Sequence, residues 1–233
     1  MKNEHVMLIT GTRKGIGKYL VGHYLKKGFR VIGCSRGDSD CNLEGYEHVC
    51  LDVADENAVK KLFRHIRKTY GSLNILINNA GIASMNHTFL TPKNTVEKIL
   101  NTNIIGSFLF CREAGKLMRN NSYARIINFV TVAVPMKLEG EAVYAASKAA
   151  VVTLTQILSK EFGHMNITVN AVGPTPIKTD LILSVPEQKL NDLINRQAIK
   201  RFAEFKDISN VTDFFINPES GFITGQVIYL GGV

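Results

Sequence analysis

A chain of 233 residues, 45% hydrophobic and 21% charged, has the apolar content for one ordinary globular domain with a substantial core. Its formal charge of +8 admits a polyanionic partner, but the lysines and arginines are scattered, which favours a basic surface that draws in a phosphate-bearing cofactor over a nucleic-acid binder. No apolar run approaches the ~18–20 residues of a membrane span, the first residues are no signal-peptide core, and Cys34, Cys41, Cys50 and Cys111 lack metal-site spacing, so the expectation is a cytoplasmic chain with free thiols, no metal and no membrane partner.

His5 to Thr10 is short, apolar and rich in branched residues, which predicts a buried strand. The glycine turn Gly11 to Gly17 follows, then a helix over Lys18 to Lys27 that Gly28 stops. Strands are expected at Phe29 to Cys34, within Gly45 to Asp52, and at Leu73 to Ile77. Between the last two, Asp55 caps a helix reaching about Tyr70, with Val59, Leu62, Phe63 and Ile66 on its apolar face. A long helical stretch runs from Asn94 to about Met118, and a strand from Arg125 to Val130. Tyr144 opens a helix ending at Phe162 before Gly163. A strand over Ile167 to Val172, helices over Pro186 to Ala198 and Asp207 to Phe215, and a last strand at Gln226 to Leu230 complete the chain. Strands alternating with helices at this pitch predict an α/β fold, a parallel sheet covered on both faces, in a single domain over 1–233.

Two stretches carry chemistry. Gly11, Gly15 and Gly17 sit where the first strand turns into the first helix; glycine permits the tight turn, and the amides at the helix start bind a phosphate group. The spacing is Gly-x-x-x-Gly-x-Gly, not the commoner Gly-x-Gly-x-x-Gly. The second stretch is Tyr144-Ala-Ala-Ser-Lys148, which puts a phenol and an ammonium one helical turn apart. A fixed positive charge favours the phenolate, so the pair is expected to exchange a proton with a substrate oxygen near neutral pH.

Thr10 to Gly17, Asn78-Asn-Ala-Gly81, Asn103 and Tyr144-x-x-x-Lys148 occur in the order and spacing of the short-chain dehydrogenase/reductase family. The chain resembles its single-domain branch, near members of the 3-oxoacyl-(acyl-carrier-protein) reductase type, along nearly its whole length. The resemblance implies a Rossmann-type doubly wound sheet of about seven parallel strands in order 3-2-1-4-5-6-7. It also implies an oxidoreductase that interconverts a carbonyl and an alcohol by hydride transfer to or from NADP(H) or NAD(H). A catalytically idle cofactor-binding protein of the same fold is the alternative.

By the resemblance, Gly11, Thr12, Arg13, Lys14, Gly15, Ile16 and Gly17 hold the cofactor, and Asn78, Asn79, Ala80 and Gly81 support the sheet and line the adenine-ribose side. Asp52 and Val53 flank the adenine, although Asp52 also suits a helix start. Pro174, Thr175, Ile177 and Thr179 form the loop near the carboxamide and pyrophosphate, where Pro174-Thr175-Pro176 departs from the family's Pro-Gly and stiffens the backbone. Where an NAD enzyme places an acid after the second strand, this chain has Cys34-Ser35-Arg36, and Arg13 and Lys14 lie nearby in the loop. Three basic residues there argue for NADP(H) in preference to NAD(H).

The family's serine thirteen residues before the tyrosine is here Thr131, which keeps the hydroxyl but adds a methyl. The implied catalytic set is then Asn103, Thr131, Tyr144 and Lys148. Tyr144 donates the proton and also faces the cofactor. Lys148 lowers the tyrosine pKa and holds the nicotinamide ribose, and Asn103 anchors a water in the proton relay. The substrate is expected to be a small carbonyl or alcohol, chosen by Ala133 to Val143 and by Asp180 to Ala198, the latter carrying Leu181, Ile182, Leu183 and Val185. Lys137 and Lys178 either receive an acidic substrate or are plain surface lysines. The family implies a homo-oligomer, dimer or tetramer, through the two long helices and the last strand; here those helices carry Ile104, Phe108, Cys111, Ala149, Val152, Leu154 and Ile157.

Overall fold

The computed structural model describes residues 5–182 and 185–233, so Leu183 of the predicted specificity segment lies outside the described residues, as does the side chain of Leu181. Seven strands form one parallel sheet: β1 (Val6–Thr10), β2 (Arg30–Ser35), β3 (Tyr46–Cys50), β4 (Ile75–Asn78), β5 (Ala124–Phe129), β6 (Ile167–Gly173) and β7 (Val227–Tyr229). Their order is β3-β2-β1-β4-β5-β6-β7. The chain therefore winds one way from β1 to β3, then returns past β1 to β4 and winds the other way. A crevice opens above the strand ends where β1 and β4 part.

Alternating side chains send apolar groups to both faces of the sheet. On one face Leu8, Ile32, Leu76 and Ile126 pack with Leu62, Phe63 and Ile66 of α2 (Glu56–Tyr70) and with Phe110. On the other, Met7, Ile9, Val31 and Ile127 pack with Leu20 and Tyr24 of α1 (Gly15–Lys26) and with Ile208 and Phe215. Each fully buried side chain of this size contributes about 1.5–3 kcal/mol, so burial on both faces is what fixes the sheet. Asp55 caps α2 as the sequence predicts, its carboxylate accepting from Asn57 N–H at 2.9 Å and Ala58 N–H at 3.1 Å.

Predicted and observed strand ends differ by one or two residues, and α1 starts at Gly15, inside the glycine turn. The long helix predicted from Asn94 is three pieces. It comprises α3 (Lys93–Leu100), a wider π turn at Asn101–Gly106 and α4 (Ser107–Met118). Such a turn inserts an extra residue per repeat and swings one side chain off the regular helical face; here it holds Asn103. A four-residue helix, α5 (Ala133–Met136), is absent from the sequence reading and ends at Lys137, whose φ of 51° is left-handed.

The remaining helices are α6 (Ala142–Phe162), α7 (Glu187–Asn195) and α8 (Phe205–Ile216). By length and composition α6, with its extension to Met165, would cross a membrane, which the sequence reading did not anticipate. It serves the fold instead: Ser147, Lys148, Val151, Thr155 and Leu158 are buried on its inner face, and Thr155 accepts from the Asn128 amide of β5 at 2.9 Å.

Candidate active site

Two cavities, about 490 and 620 Å³, share Ile16, Asn79, Gly81, Ile82 and Thr179 and so form one cleft above the crevice. The smaller is bounded by the glycine loop, Arg36, Asp52, Val53, Ala80 and Gly81; the larger takes in Thr131, Tyr144, Lys148, Pro174, Thr175, Ile177 and Thr179.

Gly11 and Gly15 have φ of 73° and 59°, the left-handed region that glycine enters without strain. The Gly11 amide donates to the Cys34 carbonyl at 2.7 Å, which ties the loop to β2. Gly17 plays a different part from the one expected. It is buried, does not line the cleft, and a Cβ there would lie 2.2 Å from the Gly11 carbonyl oxygen, so it lets helix and loop touch. Thr12 is also turned away: it is 1% exposed and its hydroxyl accepts from the Tyr46 hydroxyl at 2.9 Å. No side chain caps α1 and its first turn holds no acid, which leaves that helix start suited to an anion.

The three basic residues expected to converge, Arg13, Lys14 and Arg36, all line the smaller cavity. Arg13 and Arg36 are both exposed and line the smaller cavity, and a Cβ on Gly37 would lie 2.9 Å from Arg13 Nη1. The Arg13 guanidinium therefore lies over the turn that bears Arg36. The Lys14 ammonium also pairs with Asp180 at 2.8 Å in the cavity wall, in an exposed contact of little energetic weight. Asp52 is exposed and accepts from Ala54 N–H at 2.9 Å, combining a turn role with a place in the wall.

At the other end Tyr144 and Lys148, 9% and 4% exposed, face the larger cavity from one side of α6. The Lys148 ammonium donates to the Phe129 carbonyl at 2.8 Å, and a Cβ on Gly81 would lie 3.2 Å from Nζ, so only glycine leaves that space. Burial brings Lys148 down to about 8. It pushes Tyr144 up to about 12, with the Glu141 charge adding to the rise and the Thr131 hydroxyl opposing it. The rise is dominated by desolvation of the phenolate, and Lys148 is not among its causes.

Asn103 is fully buried and does not line the cleft. Its Oδ1 accepts from Ile82 N–H at 2.9 Å, and its amide donates to the Ile82 carbonyl at 3.0 Å and to Ser147 Oγ at 2.9 Å. The side chain is thus a clamp between the segment following Gly81 and α6. Lys178 also leaves the site, lying 5.3 Å over the Phe202 ring, while Lys137 stays in the cavity wall. The glycine cradle, the open helix start and the two guanidiniums fit a phosphorylated dinucleotide, with Tyr144 and Lys148 at its far end.

A model of the family described as enoyl-(acyl carrier protein) reductase matches residues 11–232. The chain belongs to the short-chain dehydrogenase/reductase family. It is 28% identical to the 3-oxoacyl-(acyl-carrier-protein) reductase FabG of Staphylococcus epidermidis, across 97% of this chain and 96% of the relative. Among solved structures it is similar to ElxO with NADP bound, at a TM-score of 0.89 and 29% identity over 97% of each chain. It is also similar to 4-hydroxyisoleucine dehydrogenase complexed with NADH, at 0.88 and 28% over 98% of each. As a short-chain dehydrogenase/reductase it is an oxidoreductase.

Several residues around the site of this dehydrogenase/reductase were not singled out in the sequence, although Ser147 lies in the Tyr144–Lys148 motif and Glu141, Lys189 and Arg196 lie in the two expected specificity segments. Ser147 donates to the Tyr144 carbonyl at 2.7 Å and receives Asn103, so it joins clamp to catalytic helix. Glu141, Lys189 and Arg196 line the larger cavity, and Arg196 donates to the Met136 carbonyl at 2.8 Å. Glu141 lies three residues before Tyr144, a helical spacing that was visible in the sequence. Lys189 and Arg196 reach the site only because α7 folds over it.

Proposed function

We propose that this chain is an NADP(H)-dependent reductase converting a small carbonyl compound to its alcohol, with Tyr144, Lys148 and Thr131 at the reacting end and Asn103 bracing them. The observation that carries the reading is one cleft with Tyr144 and Lys148 at one end and the guanidiniums of Arg13 and Arg36 at the other. A paired guanidinium site suits the extra 2′-phosphate of NADP(H).

When bound, the reduced nicotinamide supplies a hydride to the carbonyl carbon. Thr131 donates a hydrogen bond to the carbonyl oxygen and sets its direction. Tyr144, kept protonated at neutral pH by a pKa of about 12, gives its proton to that oxygen as negative charge develops. Lys148, charged below about pH 8, stabilises the phenolate left behind and passes it a replacement proton from solvent. Carbon thus gains the hydride and oxygen the proton, and the enzyme returns to its starting state.

The larger cavity joins apolar Leu138, Val185 and Leu190 to charged Lys137 and Glu141, which suits a short carbonyl compound with a polar end. A 3-oxoacyl or sugar-related carbonyl is the class to try first. We also infer a homo-oligomer built on α4 and α6, where Phe108 and Ile157 are 42% and 50% exposed; Cys111 of α4 is buried in its own core and takes no part. Four free cysteines accord with a cytoplasmic setting.

The test follows NADPH oxidation by absorbance against a panel of carbonyl compounds, with Tyr144→Phe as control. Turnover that falls about a hundredfold or more in the variant, with cofactor affinity kept, supports the reading. Cofactor binding without turnover on any compound selects the second reading, an idle NADP-binding protein, which Thr131 in the serine's place favours.

A further inference from the structure

A polar cluster behind the cleft wall is left unused by the reaction. The Tyr46 hydroxyl of β3 donates to Thr12 Oγ1 at 2.9 Å and lies 2.9 Å from His48 Nδ1. The other ring nitrogen, Nε2, lies 3.1 Å from both Ser35 Oγ and the Gly37 carbonyl oxygen. Ser35 Oγ itself donates to that carbonyl at 2.8 Å. The strand between is hollowed for the cluster: a Cβ on Gly33 would lie 2.2 Å from the Tyr46 hydroxyl and 2.5 Å from Thr12 Oγ1.

His48 thus reaches two separate pieces of backbone. Through Tyr46 and Thr12 it meets the glycine loop, which carries Arg13. Through Ser35 and Gly37 it meets the turn after β2, which carries Arg36. A carbonyl oxygen only accepts, so Nε2 bears the hydrogen that goes to Gly37, and Nδ1 is left to accept from the Thr12 hydroxyl at 3.3 Å, which itself accepts from Tyr46. A ring bonded at both ends fixes the distance between the two segments.

We propose that His48 is the positioning residue for cofactor selection: it sets the span between Arg13 and Arg36, and so the grip on the 2′-phosphate of NADP(H). The inference rests on the NADP(H) reading. Two exposed arginines on independent loops would each meet a phosphate in many geometries; charge-assisted, two-armed recognition needs the arms held to a fraction of an ångström. NADH, which lacks that phosphate, does not draw on the span.

The experiment titrates the purified full chain with NADPH and with NADH, following the fluorescence of the bound reduced nicotinamide, so no substrate or turnover is needed. In His48→Leu the affinity for NADPH is expected to fall by about tenfold, the scale of one well-placed charged hydrogen bond, while that for NADH stays within about twofold. In His48→Gln, whose amide N–H reaches toward the Gly37 carbonyl, most of the NADPH affinity returns; in His48→Asn, whose shorter amide stays near Tyr46, it does not. If His48→Leu does not fold, the Asn and Gln pair carries the comparison. Parallel loss of both cofactors, or a Gln variant no better than Asn, overturns the proposal, because a merely structural residue would behave so. Equal wild-type affinities for the two cofactors overturn the NADP(H) reading and this inference with it, whereas a wild-type preference for NADPH that survives His48→Leu overturns the inference alone.

Discussion

Lys148 is an ammonium buried to 4% exposure, and the fold bears a cost for it that can be measured. Burial lowers its pKa from 10.5 to about 8. Each pKa unit is about 1.4 kcal/mol, so a protonated Lys148 sits roughly 3 kcal/mol above where it would lie if hydration were kept. The sign follows from proton counting. Between about pH 8 and 10.5 the unfolded chain holds a proton on this amine that the folded chain has released. Raising the pH through that window therefore favours the folded state. Lys148→Met removes the titrating group but also the bond to the Phe129 carbonyl, a loss of about 1–2 kcal/mol. At pH 7 the variant is expected to be about 1–2 kcal/mol more stable than the wild type by urea unfolding. From pH 7 to 9.5 the wild type should gain about 2 kcal/mol on the variant and erase that lead. A stability difference that stays flat across this range refutes the reasoning, since only a depressed lysine pKa produces the slope. On the proposed mechanism turnover should also be lost in this variant, which would make Lys148 a site where stability is given up for chemistry.

Two further outcomes follow from the cleft. Arg36→Asp puts a carboxylate where the 2′-phosphate would bind; NADPH affinity should fall about 10- to 100-fold while NADH affinity rises, and titrations in which both affinities stay unchanged would refute the assignment. Glu141→Gln removes a negative charge that raises Tyr144, so the phenol pKa falls. Oxidation of the alcohol, which needs the phenolate, should then begin at a pH lower by about one unit, the scale of a single charge held several ångströms away; a pH–rate profile that does not move contradicts that electrostatic coupling.

Much of this architecture was legible because it is local. The alternation of apolar runs with helical spacing gives a parallel sheet covered on both faces, while its strand order came from the family resemblance and not from the pattern. Asp55 before Asn57 and Ala58 is a cap that any reader of the sequence can place. Arg36 was legible from its place just after the second strand, where the family's NAD enzymes carry an acid, and it lines the smaller cavity. The misses are contacts between distant segments. Nothing local to Lys14 reveals that Asp180, 166 residues later, pairs with it in the cavity wall. Thr12 looks exposed in a loop until Tyr46 and His48 of a neighbouring strand enclose it. Asn103 is singled out by the family resemblance, but nothing in the spacing of Asn94 to Met118 reveals the π turn that aims it at Ile82.

The protonation of the reacting pair shows why spacing alone misleads about chemistry. Tyr-x-x-x-Lys brings a phenol and an ammonium to one helix face, and in water the charge would favour the phenolate. Here both groups are buried, and burial disfavours the charged form of each, so the tyrosine rises to about 12 and the lysine falls to about 8. The pair therefore rests at neutral pH as a phenol beside an ammonium. That is the state a carbonyl reduction consumes, because the acid is already loaded. Alcohol oxidation must first remove a proton that burial holds in place, and so draws on whatever positive charge the bound cofactor brings to the phenol. On the proposed mechanism, the pH at which each direction runs is accordingly set by the walls around Tyr144, with Glu141 among them, and not by the four-residue spacing alone.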